Sequence, residues 1–113
     1  MLDINQFEST YGDFGAEMIC EIIDIYLAEY DQRFDLMAKN IKELDFQSLG
    51  ANAHSFKGAT AVLYDAEVAE LARQLEYKGK EANADGLDEL FMKLRHEADN
   101  LIVQLKDLKK KYS

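Results

Sequence analysis

The sequence predicts an all-α protein: an antiparallel, up-down four-helix bundle with a short extra helix at its N-terminus. Three observations carry that prediction. The 113 residues include no proline, the residue that helix interiors tolerate worst. Apolar residues recur in steps of three and four through four long segments, which marks one buried face per helix. The segments are joined by short connections, and short connections make neighbouring helices antiparallel. Hydrophobic residues make up 48% of the chain, enough for a packed core, and the length suits a single domain spanning residues 1–113.

The elements follow in order. A short first helix is expected from about Asp3 to Thr10, with Asp3 as N-cap and Gly12 near the break. Asp13 is the expected cap of a long second helix over 14–43. There Ile19, Ile23, Tyr26, Tyr30, Phe34, Met37, Ile41 and Leu44 hold one face for about seven turns. Ile22, Ile25 and Leu27 widen that stripe in the first half, either through burial against the first helix or as an exposed apolar patch. Asp45 caps a third helix whose stripe is Leu49, Ala53, Phe56, Thr60 and Leu63. Asp65 then caps a fourth helix carrying Val68, Leu71, Ala72 and Leu75, with Gly79 as its stop. A polar loop follows, in which Asn83 and Asp85 compete to cap the last helix. That helix carries Leu87, Leu90, Leu94, Ala98, Leu101, Leu105, Leu108 and Tyr112.

Composition excludes several functions. The net charge of −9 repels phosphate backbones and anionic lipid, so neither nucleic acid nor a membrane surface is an expected partner. The lysines from Lys106 to Lys111 suit the C-terminal end of a helix dipole. A single cysteine, Cys20, has no internal partner for a disulfide and sits among Met18, Ile19, Ile22 and Ile23 as a core or boundary residue. No apolar run approaches the ~20 residues that span a bilayer, and no leader pattern opens the chain. A cytoplasmic location is the expectation.

One stretch departs from ordinary helix design. His54 is flanked by Gly50 and Gly58, four residues to either side, and each glycine costs a helix interior about 1 kcal/mol relative to alanine. On a wheel of 100° per residue, His54 falls about 140° from the core stripe, toward solvent or a groove edge. Its neighbours there are Gln47, Gly50, Ala51, Lys57, Gly58 and Ala61, a surface cleared around one imidazole. Glycines on that side are expected to admit a body from outside the bundle. Lys57, one turn on, is expected beside the ring, where it favours the neutral imidazole and steadies an anion built on it. Access, neutrality and a nearby cation fit a histidine that carries a phosphoryl group. No acid is expected beside His54, and no phosphate-cradling glycine loop is present.

The run His54-Ser55-Phe56-Lys57-Gly58 resembles the His-x-x-Lys-Gly motif of histidine-containing phosphotransfer (HPt) domains, the carriers of two-component phosphorelays. The likeness extends to Asp45, to Ala53 before the histidine, to Leu71-Ala72-Arg73-Gln74-Leu75-Glu76 and to the length and helix order of the whole chain. It implies that His54 is the phosphoacceptor, through Nε2, that Lys57 steadies the phosphoryl oxygens, and that Gly58 leaves room for the partner's active site. It implies response-regulator receiver domains as partners, with the receiver of a hybrid histidine kinase among the candidates. It also implies a monomer, no cofactor of the chain's own with Mg²⁺ held by the receiver, and no ATP-dependent kinase activity. Receiver docking is expected on Ile22 and Ile25, with Gly50, Ala51 and Ala61 as a floor. One position departs from the family pattern: Tyr64 stands where members commonly have glycine, and Asp65 is expected to organise that turn instead.

The other readings are weaker. His96 lies on the polar side of the last helix between Lys93 and Asn100. A carboxylate-bridged di-metal bundle needs Glu-x-x-His pairs, and the positions three before the two histidines are Ala51 and Lys93. A zinc site lacks ligands. The remaining alternative is an adaptor bundle that docks receivers or other helical partners without carrying phosphate.

Overall fold

The computed structural model describes all 113 residues, and the chain is all-helical. Helix α1 runs Ile4–Tyr11, α2 Ala16–Glu43, α3 Phe46–Ala61, α4 Ala66–Lys80 and α5 Leu87–Tyr112, with a 3-10 turn at Gly12–Phe14 between the first two. The four longer helices form a ring of neighbours: α2 packs on α3 and α5, and α4 packs on α3 and α5. No helix is long and apolar enough to cross a membrane.

The apolar stripes read from the sequence are the core. Ile19, Ile23, Tyr26, Tyr30, Phe34 and Met37 of α2 are buried, as are Leu49, Ala53, Phe56 and Thr60 of α3 and Val68, Leu71, Ala72 and Leu75 of α4. Leu94, Ala98, Leu101, Leu105 and Leu108 complete it from α5. The stripe of α2 ends earlier than its spacing suggests. Leu44 is 57% exposed and turns the chain at a φ of 52°, closing α2 through its N–H to the Asn40 and Ile41 carbonyls.

Three aspartates act as the N-caps expected of them. Asp3, Asp45 and Asp65 accept from the backbone N–H of Gln6, Ser48 and Val68, each satisfying a donor that a helix start leaves orphaned. Two caps differ from expectation. Asp13 lies in the 3-10 turn, and α2 starts from Gly15 at φ 92°, a conformation open to glycine and strained for aspartate. Helix α5 starts from Gly86, while Asn83 Oδ1 accepts from the Asp85 N–H within the loop.

Gly79 is likewise not a stop. It lies inside α4, whose C-cap is Glu81. It is there because α3 and α4 touch backbone to backbone. A Cβ on Gly79 would come within 2.6 Å of the Gly50 nitrogen, 2.7 Å of its Cα and 2.9 Å of the Phe46 carbonyl oxygen. Both glycines are buried. Gly50 therefore serves contact within the protein, correcting the expectation that a body from outside approaches there.

Tyr64 occupies the left-handed region at φ 63°, so the turn keeps a conformation that favours glycine with a tyrosine in place. The tyrosine is held by its contacts. Its hydroxyl accepts from Thr10 at 3.1 Å, its carbonyl accepts from the Asp3 N–H at 2.9 Å, and its ring lies 6.4 Å from that of Tyr11. Asp65 organises the turn as expected, capping α4 and pairing with the Met1 ammonium at 3.0 Å.

Candidate functional site

The aromatic core sets the rotation of α3. Phe56 is fully buried, 5.1 Å from Phe34 and 6.1 Å from Tyr26, while Thr60 Oγ1 and Tyr26 Oη lie 2.8 Å apart. Asn52 donates to the buried Asn40 at 2.7 Å. With Phe56 turned in, His54 turns out, and its side chain is 67% exposed. Gly58 meets nothing within 4 Å of an added Cβ, so the surface one turn beyond the ring is open.

The ring is not bare on its inner side. Its Nδ1 lies 3.0 Å from Oε2 of Glu76, a residue of α4 whose side chain is only 5% exposed. Lys57 Nζ donates to the other carboxylate oxygen, Oε1, at 2.7 Å, and Lys80 Nζ reaches Oε2 at 3.1 Å. Two sequence expectations are corrected here. An acid does stand beside His54, and Lys57 faces that acid rather than the ring. Contact between α3 and α4 at Gly50 and Gly79 is what brings the carboxylate within reach. The Glu76 carboxyl is held well below its ordinary 4.5, at about 2, by the Lys57 hydrogen bond first, against burial, and then by Lys80 and His54.

The chemistry follows from the donor set. An ionised carboxylate only accepts. A neutral His54 ring facing it therefore carries its hydrogen on Nδ1, which leaves the lone pair on Nε2. That second nitrogen lies on an exposed ring. The result is an oriented, accessible nucleophile with two ammonium groups one carboxylate away. A groove of about 710 Å³ opens beside it, lined by Gln47, Gly50, Ala51, Glu76 and Lys80 among others.

The expected docking residues do not lie together. Ile22 and Ile25 share an apolar hollow between α2 and α3 with Ala59 and Val62. Ile25 is 55% and Val62 51% exposed, so the widened stripe of α2 is open at Ile25, while Ile22 and Leu27 pack partly against the core. Ala51 lies on the other flank of α3, in the groove beside Glu76. Ala61 lies near the Tyr64–Asp65 turn. Ala59 and Val62 escaped the sequence reading, although Ser55, Ala59 and Val62 step by four and three along the face next to His54. Glu76 escaped it as well. The signal was a glutamate between Ala72 and Gly79 on one face of α4, a face too small-featured to be a solvated one. His96 is exposed on α5, as expected.

The Hpt domain family matches residues 21–107, most of the chain and the whole of the site. The chain belongs to the Hpt domain family. Membership makes it a histidine-containing phosphotransfer protein, a carrier in phosphorelays that communicate with receiver domains. Among solved structures, the Hpt fold is matched by histidine-containing phosphotransfer protein B (HptB) from Pseudomonas aeruginosa PAO1. The TM-score is 0.91 over 99% of this chain and 96% of that one, at 19% identity. At that identity the likeness speaks for the fold. No curated protein matches the chain.

Proposed function

We propose that His54 carries the phosphoryl group, on Nε2, between receiver-domain aspartates. The observation that carries this reading is the ring itself: largely exposed, and held at Nδ1 by the buried Glu76, whose other carboxylate oxygen takes the Lys57 ammonium. The four longer helices are read as an up-down four-helix bundle, whose rigidity holds that ring still.

Phosphoryl transfer depends on positioning and charge neutralisation in line. The phosphorus–oxygen bond of the receiver's aspartyl phosphate breaks, and the carboxylate leaves with the electron pair. The Nε2 lone pair forms the nitrogen–phosphorus bond. Lys57 turns from Glu76 toward the incoming oxygens, and the open surface at Gly58 admits the receiver's active site. The receiver supplies Mg²⁺ when it docks. The chain brings no ATP site and no kinase activity of its own. Receiver docking uses the hollow of Ile22, Ile25, Ala59 and Val62, which shares α3 with His54. Gly50 and Ala51 shape the groove on the opposite flank.

The test is transfer from a receiver phosphorylated in Mg²⁺ to the wild type and to His54→Gln, read by intact mass. The proposal expects one added phosphoryl group on the wild type and none on the variant. Binding of the receiver without transfer to either chain favours an adaptor role and rejects His54 as carrier.

A further inference from the structure

The contact between His54 and Glu76 bears on the second half of the relay as well as the first. We infer that Glu76 keeps the proton on Nδ1 of His54 after the phosphoryl group arrives, so that the ring leaves as neutral imidazole when the group moves on. The inference rests on His54 as the phosphoryl carrier and concerns what controls that site.

The electron count gives the reason. When Nε2 forms its bond to phosphorus, the ring keeps the Nδ1 hydrogen and becomes a cationic N-phosphoimidazolium. In the onward step the nitrogen–phosphorus bond breaks, its electron pair returns to Nε2, and a receiver carboxylate oxygen bonds phosphorus. If Nδ1 keeps its hydrogen, the departing group is neutral imidazole. If Nδ1 has lost it, the departing group is imidazolate, a far poorer leaving group. The position of one proton thus decides whether the carrier can discharge.

The structure places a carboxylate where it controls that proton. Glu76 Oε2 is 3.0 Å from Nδ1. An anion at hydrogen-bond distance favours the cationic ring, as a buried aspartate favours the imidazolium that forms in a catalytic triad. Glu76 is fixed for the task by its burial and by Lys80 from α4, which keeps its place when Lys57 turns to the phosphoryl oxygens. From α2, Arg33 is engaged by Ser55 and Glu29. Glu76 is thus the anion in contact with the ring. It is a positioning residue, acting on the reaction through His54.

Phosphoramidate, which phosphorylates accessible histidines chemically, separates this test from any receiver. His96→Asn, an exposed change on α5, serves as the common background so that His54 is the one histidine present. The phosphorylated background protein and its Glu76→Gln derivative are followed by intact mass as they lose the phosphoryl group between pH 6 and 9. Glutamine keeps an acceptor for the Nδ1 hydrogen and removes the charge. The background protein should discharge faster, by a ratio that grows from near unity at pH 6 to about tenfold or more above pH 8, one unit of proton affinity being a factor of ten. A ratio constant across that range, or a faster Glu76→Gln protein, overturns the inference. An independent reading needs no change at Glu76. In the phosphorylated background protein, the ¹⁵N signal of Nδ1 should report a bound proton to higher pH when folded than in urea. Equal titration in the two states also overturns it. Failure of receiver transfer to His54 would reject the carrier role while leaving these readings intact.

Discussion

Gly79→Ala tests whether the α3–α4 contact is what assembles the site. The added Cβ would lie 2.6 and 2.7 Å from the nitrogen and Cα of Gly50 and 2.9 Å from the Phe46 carbonyl oxygen. All three are backbone atoms, so the helices must part. Overpacking of this kind costs about 1–3 kcal/mol. Replacing a helical glycine by alanine returns up to about 1 kcal/mol. The clash wins because no side chain can swing aside, and the expected net loss is about 1–2 kcal/mol. Urea denaturation followed by circular dichroism measures it. Gly58→Ala is the matched control. Its Cβ meets nothing within 4 Å, so the same substitution should stabilise by about 0.5–1 kcal/mol. It should nevertheless slow transfer from a receiver, since it fills the approach to His54. Equal or greater stability of Gly79→Ala relative to the wild type would refute the close-contact argument.

Four further outcomes are expected. Lys57→Ala should cut transfer to His54 by roughly ten- to a hundredfold, the worth of a charge-assisted hydrogen bond of about 1.5–3 kcal/mol, as measured by the initial rate of phosphoryl gain from a receiver. Glu76 is depressed to about 2 from an ordinary 4.5, so its stabilising contribution is present above pH 4.5 and is lost as pH falls toward 2. Denaturant midpoints of the wild type and Glu76→Gln should therefore converge across that window. Ile25→Asp or Val62→Asp changes an exposed position and should alter stability by no more than about 0.5 kcal/mol, while weakening receiver binding in a titration. Tyr64→Gly relieves a positive φ but loses the Thr10 hydrogen bond and the contact with Tyr11. The relief is offset by the greater freedom of glycine in the unfolded chain, so thermal denaturation should show a net loss of about 1 kcal/mol.

What the sequence showed and what it hid divide along one physical line. Periodicity within a helix was legible. The steps of Ile19 to Met37 and of Leu49 to Leu63 mark faces that are buried, and Asp3, Asp45 and Asp65 stand where helix starts need an acceptor. His54 could be placed outward because its angle to Phe56 is fixed by the helix they share. Register between helices was not legible, since nothing local encodes it. Glu76 and Gly79 acquire their roles only when α4 folds back along α3. One pattern does carry that register. His54 stands eleven residues before Asp65 and Glu76 eleven after, while Gly50 stands fifteen before and Gly79 fourteen after. A hairpin turning near Asp65 brings both pairs opposite each other. Asp13, Asn83 and Asp85 misled for a related reason. Capping propensity favours aspartate and asparagine, but the path into α2 and α5 requires a left-handed residue, which Gly15 and Gly86 supply.

The central claim is that phosphate is carried on Nε2 of His54, with Nδ1 turned to Glu76. It is tested most directly by nuclear magnetic resonance on ¹⁵N-histidine-labelled protein phosphorylated by a receiver. Phosphorus–nitrogen coupling should appear at Nε2 of His54, with a proton on its Nδ1. Phosphorus on Nδ1 of His54, on His96 or on a carboxylate would contradict it.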